Sequence, residues 1–150
     1  MYAGAGNAST KLAGEVIGIL AGPNPEEVRS GLDVVVYEIE NGASFYSAND
    51  DDSIPYFAHC ISIAGSYLSE GANAEEGTAI AYLIAPPAEA MVALDAALKA
   101  ADVSVGAFYG PPSETNFAGG LLTGSQSACR AACDAFARTV LSIADNPKNY

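Results

Sequence analysis

Residues 79–87 read Ala79-Ile-Ala-Tyr-Leu-Ile-Ala85 followed by Pro86-Pro87. An unbroken apolar run of this length, stopped by two prolines, predicts a strand buried on both faces. Proline cannot continue a ladder and presets the first turn of a helix, so a helix is expected from about Ala88 to Ala101. Met91, Leu94 and Leu98 would share one of its faces. Val103 to Tyr109 then predicts a strand closed by Gly110-Pro111-Pro112, and Phe117 to Thr123 another. Ser125 to Ala144 reads as a long Ala- and Cys-rich helix ending before Asn146-Pro147.

Upstream of residue 79 the signals are of the same kind. Tyr2-Ala-Gly-Ala-Gly-Asn-Ala-Ser9 predicts a short strand with its loop, and Glu15 to Ala21 a buried strand ending at Gly22-Pro23. Asn24 caps a helix with Pro25 at its first position and Glu26 and Glu27 in its first turn. That helix carries Val28, Leu32, Val35, Val36 and Ile39 at helical spacing and stops at Asn41-Gly42. A strand is expected over 43–48. The acidic loop Asn49-Asp50-Asp51-Asp52 leads to Ser53, which reads as the cap of a helix running through Tyr56 to Ile61. Residues 69–78, rich in Gly, Asn and Glu, predict a loop.

An internal echo organises these elements. A strand, a Pro/Gly break and a helix recur near 15–40, 79–101 and 117–144, and Glu27-Val-Arg-Ser-Gly-Leu-Asp33 aligns with Glu89-Ala-Met-Val-Ala-Leu-Asp95. The repeat predicts the closing part of one α/β domain over 1–41 and a complete second domain over 42–150, each with helices packed on a sheet.

Composition limits the function. The 150 residues carry a formal net charge of -12, and half of them are hydrophobic. A chain this acidic repels nucleic-acid phosphates, which argues against a DNA or RNA partner. No apolar run approaches a membrane span, and no charged leader with an apolar stretch opens the chain. Only 16% of residues are charged, as suits a surface largely covered by neighbouring subunits. The cysteines, Cys60, Cys129 and Cys133, form no disulfide framework and fit a reducing cytoplasm.

Several segments carry a more specific pattern: Ser9-Thr-Lys-Leu-Ala-Gly-Glu-Val16, Ala21-Gly-Pro-Asn-Pro25, Tyr82-Leu-Ile-Ala-Pro-Pro87, Gly110-Pro-Pro-Ser-Glu-Thr-Asn116 and Leu122-Thr-Gly-Ser-Gln-Ser-Ala-Cys-Arg-Ala-Ala-Cys133. Together they resemble the tandem-domain shell proteins of the ethanolamine-utilisation bacterial microcompartment. The resemblance implies circularly permuted BMC domains of α/β sandwich type, with helices on a mostly antiparallel sheet. It implies self-association into a homotrimer shaped like a hexamer, tiling with other shell proteins. It also implies a central pore that opens and closes, and small pores within each subunit that take ethanolamine. A cobalamin-binding role is associated with such pores, and no cofactor is required. The resemblance places Met1-Tyr2-Ala3-Gly4 inside the first domain of a full-length member. Ile63-Ala64, where the pattern leads to Arg-Thr, and residues 69–78 depart from it.

Carried over residue by residue, the resemblance implies a small-pore ligand site at Glu15, Phe45, Thr115 and Asn116. An ammonium alcohol needs a carboxylate for its charge, an aromatic face for cation–π contact, and hydroxyl or amide groups for its OH. These residue types equally fit a strand-end charge, a core aromatic and a turn. Cys129 and Cys133, four apart on one helical face, have the spacing of metal ligands but also of small buried residues. His59 and Cys60 are adjacent, which is poor geometry for a nucleophile and its base. The Asp50–Asp52 loop lacks the spacing of a calcium loop. Glycine-rich 118–125 lacks the Gly-Lys-Ser/Thr of a phosphate loop. The expected function is therefore a structural, pore-bearing shell component and not an enzyme. The alternatives are a binding module for ethanolamine or a corrinoid, or an engineered fragment with no native role.

Overall fold

The computed structural model describes residues 2–5, 16–111 and 116–148. The chain divides into two compact units, Met1–Ser44 and Phe45–Tyr150. In the first, β1 (Tyr2–Ala5) pairs antiparallel with β2 (Val16–Ile19), and α1 spans Pro25–Asn41. Asn24 starts α1 as its side chain predicts. Its Oδ1 accepts from the Glu27 N–H at 2.9 Å and its Nδ2 donates to Glu27 Oε1 at 2.9 Å, which satisfies an otherwise orphaned first-turn donor. The Gly42 N–H closes the other end on the Glu38 carbonyl at 2.8 Å. None of the α1 residues is buried, and Leu32, Val36 and Ile39 are exposed.

The second unit is a five-stranded antiparallel sheet ordered β3-β4-β5-β7-β6. Its strands are β3 (Tyr46–Ser47), β4 (Pro55–Ile61), β5 (Ala79–Ala85), β6 (Val103–Tyr109) and β7 (Ala118–Gly124). Helices α3 (Pro87–Ala100) and α4 (Gln126–Asp145) cover one face, and the short α2 (Ser66–Gly71) packs on the other. β5, stopped by its prolines, is largely buried and pairs with both β4 and β7. The α/β sandwich on an antiparallel sheet agrees with the reading from sequence.

Period-two alternation distributes the strand residues between the two layers. Ala81, Leu83, Ala85, Ala118 and Leu122 join Ala90, Ala93, Leu94, Ala97, Cys129, Phe136 and Val140 in the core under α3 and α4. Ile80, Leu121, Ala64 and Ala72 form a smaller core under α2, with Tyr82 and Ala107 packed against it. The β6–β7 register shifts between Val105 and Ala107, a bulge centred on Gly106. A side chain at Gly106 would strike the Ala72 carbonyl, so this glycine lets the turn after α2 approach the sheet.

Three local expectations are corrected. Residues 55–61 are a strand and not a helix. Ser53 does not cap; its N–H donates to Asp51 Oδ1 at 3.0 Å, while Asn49 Oδ1 accepts from the Ile54 N–H at 3.1 Å. The polar loop thus folds on itself, with Asp52 at φ 57°, and delivers Pro55 to the strand. Tertiary pairing then decides, from Phe57 opposite Ile84 to Ile61 opposite Ile80. Second, the stretch read as a loop over 69–78 begins inside α2, where the buried Ser69 hydroxyl donates to the Ala64 carbonyl at 3.4 Å. Third, the buried face of α3 is Ala90, Ala93, Leu94 and Ala97; of the expected Met91, Leu94 and Leu98, Leu94 is buried, Met91 packs at the edge of the core and Leu98 is exposed. Small residues let α3 approach α4 and the sheet closely, and the larger Met91 and Leu98 are left beside a groove against β6.

Candidate functional site

Phe45 immediately precedes β3, and its ring meets Phe57 of β4 at 5.6 Å and Phe117, at the entry to β7, at 5.8 Å. Both separations lie in the range of favourable tilted aromatic contact. Phe45 is nevertheless 51% exposed, which removes the reading of it as a core residue. Beside Phe117, Asn116 sits at φ 59°, in the left-handed region that Asn tolerates better than most side chains. The structure therefore brings Phe45 and the Asn116–Phe117 pair to one end of the sheet. Glu15 and Thr115 lie outside the described residues.

Sequence reasoning missed Phe57. Its ring lies 5.5 Å from Tyr82 in an edge-on arrangement and 5.9 Å from His59. An aromatic row thus runs from Phe117 through Phe45 and Phe57 to Tyr82 on the sheet face opposite α3 and α4. The signal was the alternation Phe57, His59, Ile61, which only a strand assignment makes visible. Burial raises the Tyr82 phenol above its ordinary value, with the Tyr109 and Tyr67 phenols adding to the shift. Its hydroxyl stays protonated through the neutral range.

The remaining sequence candidates do not assemble into chemistry. Successive strand residues point to opposite faces: His59 lies against Phe57, whereas the Cys60 thiol approaches the Gln126 carbonyl at 3.7 Å. Cys129 and Cys133 are buried in the helix-side core, and the Cys129 thiol donates to the Ala79 carbonyl at 3.4 Å. Burial pushes the Cys133 thiol up to about 12, with Cys60, Cys129 and Asp134 adding to it. Among the described residues no group of His, Cys, Asp and Glu is arranged to hold a metal ion, and no buried side-chain nitrogen or oxygen lacks a partner. Asp51 is held below the usual carboxylate range by hydrogen bonds from Ser53. The glycines of 118–124 lie within β7 itself. Among the described residues no helix is long and apolar enough to cross a membrane.

A consequence for reactivity follows from the thiol. Its folded pKa is raised, so the stability it supports is complete below the ordinary thiol range near 9 and declines as pH rises towards about 12. At pH 8 a thiol reagent should modify Cys133 only after unfolding, as mass spectrometry of native and urea-treated protein will record. Rapid native labelling of Cys133 would contradict the buried placement.

No family model matches the chain. It is 69% identical over 150 residues to the bacterial microcompartment shell protein EutL of Clostridium perfringens (strain 13 / Type A), spanning all of this chain and 69% of the relative. It is 53% identical over 147 residues to EutL of Escherichia coli (strain K12), spanning 98% of this chain and 67% of that one. Its structure superposes on the crystal structure of ethanolamine utilization protein EutL from Leptotrichia buccalis C-1013-b with a TM-score of 0.86 at 70% identity. That match covers 99% of this chain and 71% of the other.

Proposed function

Since this chain belongs to the EutL family of bacterial microcompartment shell proteins, we propose that it works as a structural tile of the shell, assembling as a trimer of pseudohexameric outline with pores for small molecules. The observation that carries the reading is the match of 99% of this chain, in both sequence and backbone, to 71% of EutL, 70% identical with a TM-score of 0.86. Its place is the microcompartment shell. Passage through a pore needs weak binding and no covalent step, so no catalytic residue is required, and we infer that the chain is not an enzyme. The exposed apolar side chains of α1 and the low proportion of charged residues favour self-association, because large apolar patches are costly on an isolated monomer. Size exclusion with light scattering should return a trimer or a hexamer. A monomer that stays monomeric at high concentration would remove the tiling role.

For the small pore, the proposed ligand is ethanolamine, held by Glu15, Phe45, Thr115 and Asn116. The half-exposed Phe45 ring, in tilted contact with Phe57 and Phe117, supplies the aromatic group that a cation–π contact needs. Phe45→Ala should weaken ethanolamine binding by roughly threefold to thirtyfold, the equivalent of about 0.7 to 2 kcal/mol of cation–π contact. Calorimetry on the parent and the variant measures this, and equal affinities would exclude Phe45 from the site. Cobalamin, the alternative ligand, is tested in the same titration, since a corrinoid reports its own binding by absorbance.

A further inference from the structure

On the α2 side of the sheet lies a second concavity, with a cavity volume of about 390 Å³, that the small-pore reading does not use. Four elements build it, with β7 contributing Leu121. β5 supplies Tyr82, β6 supplies Tyr109, and α2 supplies Tyr67 and, one helical turn later, Glu70, while Leu68 and Leu121 complete the apolar wall. Residues three apart share a helix face, so Tyr67 and Glu70 turn to the same opening. The strongly exposed Tyr67 forms the rim, and the part-buried Tyr82 the floor.

The geometry is set in advance of any ligand. Phe57 holds the Tyr82 ring edge-on at 5.5 Å with an interplanar angle of 82°. Tyr109 reaches this face because of the bulge at Gly106: Ala107 pairs with Leu121 and Tyr109 with Gly119, which puts both on the side of α2. Had Gly106 been paired in unbroken alternation, Tyr109 would point towards α3. Burial and the mutual proximity of the Tyr67, Tyr82 and Tyr109 phenols raise the Tyr82 pKa, which agrees with three hydroxyls gathered around one space.

The wall selects the class of ligand. It contains one carboxylate and no basic side chain, on a chain of net charge -12, so anions are repelled. A bare metal ion is poorly served: among the described residues no cluster of hard ligands forms, and a single carboxylate does not replace a hydration shell. Aromatic faces with one carboxylate suit a bulky, weakly hydrated organic cation, whose charge spreads over methyl or methylene groups. We propose that Tyr67, Tyr82, Tyr109 and Glu70 form an aromatic cage for a small organic ammonium ion, distinct from the Phe45 site.

Tetramethylammonium chloride, titrated into the full chain with tyrosine ring resonances followed by NMR, is the direct test. Tert-butyl alcohol, a neutral compound of similar shape, is the control. Tetramethylammonium should shift the Tyr67, Tyr82 and Tyr109 rings saturably, and tert-butyl alcohol should not. Glu70→Gln and Tyr109→Leu should each raise the Kd at least threefold, and Phe45→Ala should leave the Kd read at Tyr82 and Tyr109 unchanged. Glu70 lies exposed on a short helix, so its amide variant keeps the test valid if a tyrosine variant folds poorly. Shifts that do not saturate, that tert-butyl alcohol reproduces, or that survive Glu70→Gln undiminished would overturn the cage. Loss of the tyrosine shifts in Phe45→Ala would also overturn it, by assigning the cation to the small-pore site.

Discussion

Phe136→Ala should cost about 3 to 5 kcal/mol of stability, and lower the midpoint of thermal unfolding by about 10 to 20 °C. Phe136 lies on α4, is 0% exposed, and is the largest fully buried side chain among the described residues. The helix-side core that holds it is rich in small residues, with Ala90, Ala93 and Ala97 on α3, Ala81 and Ala85 on β5, and Ala132 and Cys133 on α4 itself, beside Leu83, Leu94 and Leu122. An alanine-rich lining cannot swing long side chains into a vacated space, so the cavity would persist and the cost should fall at the upper end of the range. Phe136→Leu keeps most of the volume and should cost less than half as much. Urea unfolding measures both variants, and the interpretation holds if the slope with denaturant is unchanged. A loss below about 1 kcal/mol for the alanine variant would mean that this core is much looser than its burial states.

Gly119→Ala should be of comparable severity although it adds a single carbon. Gly119 pairs with Ile84 in the centre of the sheet, between β5 and β6. A Cβ there would run into the Leu83 carbonyl, with the carbonyl carbon 2.9 Å away and Ile84 Cα at 3.0 Å. These are backbone atoms of the buried strand β5, and they cannot rotate aside as a side chain can. Relief requires moving β5 from β7, which weakens ladder bonds on both sides of the contact. A loss of at least about 2 kcal/mol is expected. Faster amide exchange in β5 and β7 than in α4 would localise the damage. Gly71→Ala is the control, because a Cβ at that helical position meets only Leu121 Cδ1 at 4.0 Å, and its stability should change by less than about 1 kcal/mol. Equal effects of the two substitutions would show that the close approach at Gly119 is not what limits that position.

The legible parts of the sequence were those whose chemistry is local. Asn24 with Pro25, and Ser125 ahead of α4, announced their helices because a cap is satisfied within three residues: Ser125 Oγ accepts from the Ala128 N–H at 3.1 Å. The 55–61 stretch reads as a helix because Ser53 has the chemistry of a cap, but in the fold Ser53 bonds back to Asp51 within the loop. Only partners distant in sequence made it a strand. For the candidate site, the resemblance named Phe45 and Asn116, and the fold brings Phe45 beside Phe117. Phe57, which meets Phe45 from β4, was hidden behind the helix assignment. The Tyr67–Tyr82–Tyr109 cavity was illegible for a different reason, since it draws on four elements that meet only in the folded sheet.

Local patterning alone thus determined that helices would pack on a sheet and where most elements start and stop, whereas the shell role came from the family resemblance and not from patterning. Pairing and packing decided which face each residue serves. A strand carries no instruction about its neighbour's register, and the Gly106 bulge turns Ala107 and Tyr109 towards α2. Likewise α3 buries alanines in preference to larger residues because the closeness of α4 and the sheet, and not hydrophobicity alone, sets what fits between them.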